Sequence, residues 1–78
     1  MNEVRTFIIL IKTMEEARDF CNISARYPFE MDLRQDRYVV DAKSILGILS
    51  LKLSKPIFLD AYTDDVSSLS ADIQKFLA

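Results

Sequence analysis

Between Phe29 and Arg34 apolar and polar residues alternate one for one, with Phe29, Met31 and Leu33 set against Glu30, Asp32 and Arg34. A two-residue period is the mark of a strand with one buried and one wet face. Segments of a different period lie on both sides of it. Upstream, Ala17, Phe20, Cys21 and Ser24 recur at three- and four-residue intervals; downstream, Val66, Leu69, Ile73, Phe76 and Leu77 do the same. Both are the apolar stripe of an amphipathic helix, so the chain must lay helices against a sheet. With 78 residues there is room for one hydrophobic core and no second, and residues 1–78 are expected to form a single domain.

The remaining elements follow from local chemistry. Val4 to Lys12 is rich in Val, Thr, Ile and Phe and predicts a first strand. Thr13 and Glu16 have the spacing of a capping box, so a helix should begin there, and Pro28 forbids its extension. Gln35 and Asp36 are expected to turn the chain into a short third strand, Tyr38 to Val40. A short helix follows within Asp41 to Leu51. Its Ile45, Leu46, Ile48, Leu49 and Leu51 are too dense for one narrow stripe, so part of it must be deeply buried or face a partner. Pro56 to Tyr62 predicts a fourth strand, and Asp64 and Asp65 stand before the closing helix, where its dipole favours acids. The order is β-α-β-β-α-β-α, an α+β fold whose helix stripes are best buried by three helices on one face of a four-stranded antiparallel sheet.

Composition narrows the function classes. Ten basic and twelve acidic residues leave a formal charge of −2, which gives no field to attract nucleic acid or an anionic membrane. The longest purely aliphatic or aromatic run, Phe7 to Ile11, is far short of the roughly 20 residues a membrane-spanning helix needs, and no signal-peptide pattern surrounds it. Cys21 is the only cysteine, which excludes an internal disulfide and fits a reducing cytoplasm. With no histidine and one glycine, the chain has no metal-ligand cluster, Ser/His/Asp set, glycine-rich phosphate loop or dinucleotide fingerprint. No metal, cofactor or enzymatic activity is expected. Cys21, Phe58 and Tyr62 read as packing residues.

The segment Val40-Asp-Ala-Lys-Ser-Ile-Leu-Gly-Ile-Leu-Ser-Leu51 resembles the regulatory-serine motif of the HPr phosphocarriers of the bacterial sugar phosphotransferase system, Lys-Ser-Ile/Leu-X-Gly-X-X-Ser-Leu. The element order is also that of the HPr family, an open-faced β-sandwich, and the resemblance spans essentially the whole chain. It implies that Ser44 stands at the regulatory serine. The family's other hallmark, Gly-X-His-Ala-Arg-Pro after the first strand, corresponds to Met14-Glu-Glu-Ala-Arg-Asp19. Ala17 and Arg18 fit it, but Glu16 stands in the place of the phosphorylated histidine. The resemblance therefore carries over the fold and not the phosphohistidine relay. A second departure is Lys52, where the family places glycine; a left-handed conformation there would cost lysine about 1 kcal/mol.

The candidate residues each have a structural and a functional reading. Glu16, with Arg18 two residues on to neutralise phosphate, has the elements of an acyl-phosphate site; as a capping residue it simply completes the start of the first helix. Glu15, Glu16 and Asp19 crowd that helix start with negative charge, which repels phosphate and weakens docking on the acidic surface that the family's enzyme I presents. The Ser44 hydroxyl caps the second helix, and the resemblance makes it a substrate of HPr kinase; the two roles are compatible. Lys43, Ile45, Leu46 and Leu49 surround it and, by the same resemblance, include the positions that face protein partners such as the kinase or a transcriptional regulator. Leu46 and Leu49 would be the exposed pair, with core packing as the alternative for Leu49. The leading expectation is a regulatory, protein-binding HPr relative. A structural protein that buries the Leu46 and Leu49 patch between copies is the third reading.

Overall fold

The computed structural model describes residues 3–78. Strands β1 (Val4–Ile9), β2 (Met31–Gln35), β3 (Tyr38–Asp41) and β4 (Ile57–Tyr62) form one sheet in the order β1-β4-β2-β3, antiparallel throughout. Helices α1 (Met14–Ala25), α2 (Ile45–Leu49) and α3 (Ser67–Asp72) cover one face, and a 3₁₀ turn (Gln74–Phe76) closes the chain. The α+β architecture and the element order agree with those expected from the sequence.

Register sorts the strand residues into two faces. Pairing sets Leu33 against Leu59 and Phe7 against Leu59 from the other side, and brings Met31 to Ala61 and Ile9 to Ile57. This face meets the helices, where Ile9, Met31, Leu33, Ile57, Leu59 and Ala61 are fully or almost fully buried together with Ala17, Phe20, Ile48, Leu69, Ile73 and Phe76. The opposite face is open and carries Thr6, Ile8, Asp32, Arg34, Val39, Phe58, Asp60 and Tyr62.

Several element ends differ from those the sequence suggests, each for a tertiary reason. β1 stops at Ile9 instead of reaching Lys12, because its partner β4 begins opposite at Ile57; beyond it, the Leu10 N–H turns to the Phe76 carbonyl at 2.8 Å. β2 starts at Met31, not Phe29. Asp36 alone of the expected turn pair is in the turn, with φ 55°, since Gln35 still pairs with Tyr38. The single closing helix is broken at Ile73, and the Phe76 N–H donates to the Ile73 carbonyl in a tighter turn that swings Phe76 edge-on to Phe20. Asp65 precedes that helix and its carboxylate accepts the Ser67 N–H at 3.1 Å. No left-handed residue occurs at Lys52: Ser54 takes that conformation instead, with φ 69°.

Candidate functional site

The first candidate region is the start of α1. Thr13 is extended and its hydroxyl accepts the Glu16 N–H at 3.1 Å. The Glu16 carboxylate reaches back, but to the Lys12 N–H at 2.8 Å and not to that of Thr13, so the box closes one residue earlier than the sequence pattern implies. The Glu16 N–H, one of the helix's orphan donors, and the Lys12 N–H just before the cap are thus satisfied by the chain's own side chains. Arg18 is exposed. Asp19 forms an ion pair with Lys75 at 3.5 Å, which ties α1 to the 3₁₀ turn.

The second region is the start of α2. The Ser44 backbone is extended, and its Oγ accepts the Gly47 N–H at 3.1 Å. Asp41 braces the approach, its carbonyl taking the Ser44 N–H at 3.0 Å and its carboxylate the Lys43 N–H at 2.8 Å. The Lys43 side chain, expected to face a partner, instead sends its ammonium to the Tyr27 carbonyl at 2.6 Å, just past the end of α1. Cys21 is half-buried and its thiol donates to the Lys43 carbonyl at 3.4 Å. Burial, with the Asp41 carboxylate adding to it, pushes that thiol above its ordinary pKa, so it is a poor nucleophile.

The apolar residues of α2 divide sharply. Ile48 is fully buried, Ile45 and Leu49 pack half-buried against the core, and Leu46 is 79% exposed, the most exposed large hydrophobic side chain among the described residues. The expected exposed pair is thus one exposed leucine beside one half-buried. Gly47 has a steric role that sequence reading missed: a Cβ there would lie 3.1 Å from Val40 Cβ and 3.4 Å from Ser44 Oγ. Asp41 and Tyr27 were also missed; the two-residue step from Asp41 to Lys43, typical of a carboxylate bonding the backbone ahead of it, was the available signal for the first.

Phe58 and Tyr62 are sheet residues on the open face. Phe58 lies under the Arg34 guanidinium, 5.0 Å from ring centroid to carbon, and the Tyr62 hydroxyl donates to Asp32 at 3.1 Å. Among the described residues no helix is long and apolar enough to cross a membrane.

No protein-family model and no curated protein matches the chain. Solved structures do. Phosphocarrier protein HPr from Bacillus anthracis str. Ames superposes with a TM-score of 0.77 at 22% identity, over 96% of this chain and 99% of that one. The fold is that of HPr. HPr-C-His from Thermoanaerobacter tengcongensis agrees, with a TM-score of 0.73 at 27% identity over 94% of this chain and 88% of its own. The sequence contains no histidine.

Proposed function

We propose that this HPr-like chain is a regulatory module of the phosphotransferase type that binds other proteins through the Ser44 helix and is switched by phosphorylation of Ser44, without phosphohistidine relay. The observation that carries the reading is the pairing of Ser44 with Leu46, a half-buried capping serine two residues from an apolar side chain that is 79% exposed. A single exposed leucine is common on protein surfaces, and Leu46 gains meaning from its place beside Ser44 at the start of α2, where an apolar anchor ringed by polar groups would suit a small docking patch. Ile45 and Leu49 shape the base of that patch. Lys43 supports it from behind, through its bond to the Tyr27 carbonyl.

A phosphoryl group on Ser44 Oγ would place acceptor oxygens where the Gly47 N–H now finds the hydroxyl, so the cap would persist while the patch gained about two negative charges. A partner reading Leu46 would meet a different surface in the two states. Glu16, in contrast, is engaged in capping α1, and the surrounding Glu15 and Asp19 oppose an incoming phosphate. A relay needs a nucleophile that gives its phosphoryl group onward, and imidazole is the side chain this sequence lacks.

The test is the intact mass of wild type and Ser44→Ala after incubation with ATP and the HPr kinase of the source organism, with an ordinary HPr as control. One added phosphoryl group on wild type and none on Ser44→Ala is the expected result. An unmodified wild type beside a labelled control would overturn the switch.

A further inference from the structure

The two edges of the sheet are treated differently. The β1 edge is covered at its C-terminal end by residues 76–78: the Leu10 N–H donates to the Phe76 carbonyl at 2.8 Å, the Ala78 N–H donates to the Ile8 carbonyl at 2.9 Å, and Ile9 bridges to Leu77. At the other edge β3 contacts β2 and, at its back, α2. The Ala42 N–H donates to the Met31 carbonyl at 3.0 Å, which sets the phase of the β2–β3 ladder. Met31·Ala42, Leu33·Val40 and Gln35·Tyr38 are then the hydrogen-bonded pairs, and the Val39 N–H and C=O point away from the sheet.

This open edge is blunted only by its shortness and by the charge of Asp41. It carries no proline or lysine and no bulge, and Tyr38 and Val39 are 58% and 62% exposed. It also holds an unresolved charge. Asp32 and Asp41 face each other across the β2–β3 ladder, a like-charge pair that costs stability, and neither has a cation partner among the described residues. Arg37, in the β2–β3 turn at the opposite end of β3, likewise has no ion pair among the described residues.

We propose that β3 pairs antiparallel with β3 of a second copy of this chain, about a two-fold axis at Val39. In that register Val39 meets Val39, and their outward N–H and C=O groups exchange two hydrogen bonds. Tyr38 meets Val40 of the second copy, an aromatic and β-branched pair, and Arg37 meets Asp41 of the second copy, twice by symmetry. Each arginine reaches the aspartate pair that lacks a cation. Shifting the register by one residue sets Tyr38 opposite Asp41 and loses both ion pairs, so charge selects the register. The result is a continuous eight-stranded sheet, and a contact this short forms a weak, concentration-dependent dimer.

Solution mass by light scattering tests it. Wild type, 9.0 kDa as a monomer, should move toward twice that mass as concentration rises into the millimolar range. Val39→Pro removes only an outward N–H and leaves the β2 ladder intact, so it should keep a folded circular dichroism spectrum and stay monomeric. Arg37→Asp and Asp41→Arg should each be monomeric alone, because each sets like charges face to face, and their equimolar mixture should regain the doubled mass. A wild type that stays at 9.0 kDa, a folded Val39→Pro that still dimerises, or a mixture of the two folded charge variants that remains monomeric would each overturn the proposal.

Discussion

Asp60 is a nearly buried carboxylate with partners on two neighbouring strands. It sits on the open face of β4, 6% exposed, and accepts from the Arg34 guanidinium and from the Thr6 hydroxyl at 2.8 Å. The hydrogen bond from Arg34, helped by that from Thr6, holds its carboxyl below the usual aspartate value even though burial pulls the other way. A group whose folded pKa is depressed stabilises the fold above its unfolded value, about 3.9, and loses that contribution as pH falls through the folded value. Urea unfolding from pH 7 to pH 2 should therefore show wild type losing stability below about pH 4 more steeply than Asp60→Asn; parallel profiles would mean the pair contributes nothing. Arg34 is half-exposed, so water screens the pair and its contribution is small, and Arg34→Met should flatten the acid limb in the same way. Ser54 offers a gain instead. Its φ of 69° costs a non-glycine residue about 1 kcal/mol, and Ser54→Gly should raise the melting temperature by a few degrees, read by thermal unfolding. Neither residue stood out in the sequence. Arg34 and Asp60 lie 26 positions apart and meet only through the β2–β4 register, and the left-handed site that a family pattern put at Lys52 moved two residues along when the loop was built.

Helix starts were the most legible elements, because the signals that make them are local. Thr13 and Ser44 each answer a backbone N–H three residues ahead, and their positions could be read without any tertiary contact. Ser44→Ala should lower stability by about 1 kcal/mol, or 4–8 °C in melting temperature, a loss separate from any effect on phosphorylation. Thr13→Ala should cost about as much. Glu16→Gln should be close to neutral, since an amide oxygen can still accept the Lys12 N–H; a loss as large as that of Thr13→Ala would mean that the negative charge, not the acceptor, holds the end of α1. What local signals could not supply was where elements end. β1 reads as apolar through Ile11, yet it stops where β4 stops opposing it, and the α2 residues Leu46 and Leu49 look alike until packing against the core separates them. Gly47 illustrates the same point. Helix propensity alone would favour alanine there by about 1 kcal/mol, but the space beside Val40 is closed at 3.1 Å, so Gly47→Ala should bring no rise in melting temperature.

Across the whole molecule, the strand order β1-β4-β2-β3 puts the last strand of the sequence in the interior of the sheet, so the core is completed only when distant parts of the chain meet. The 3₁₀ turn is the final piece. Phe76 comes from its end to pack edge-on against Phe20 of α1, with ring centroids 5.3 Å apart, while the neighbouring backbone closes the β1 edge. The helical period predicted an apolar residue at 76 but not this turn, because the break at Ile73 is dictated by the core that Phe76 must reach. Both rings are almost fully buried, so truncating either leaves a cavity that costs about 3–5 kcal/mol. A domain of this size has about 5–15 kcal/mol in all, which puts Phe76→Ala near the limit of folding. Phe76→Leu keeps most of the volume and loses the ring contact, and it should cost distinctly less. The pair is best measured as a cycle of Phe20→Leu, Phe76→Leu and the double variant in urea. A coupling of about 1 kcal/mol would assign the ring contact an energy beyond its buried area; purely additive losses would leave Phe76 as a filler of space, with the closing of the β1 edge resting on its backbone alone.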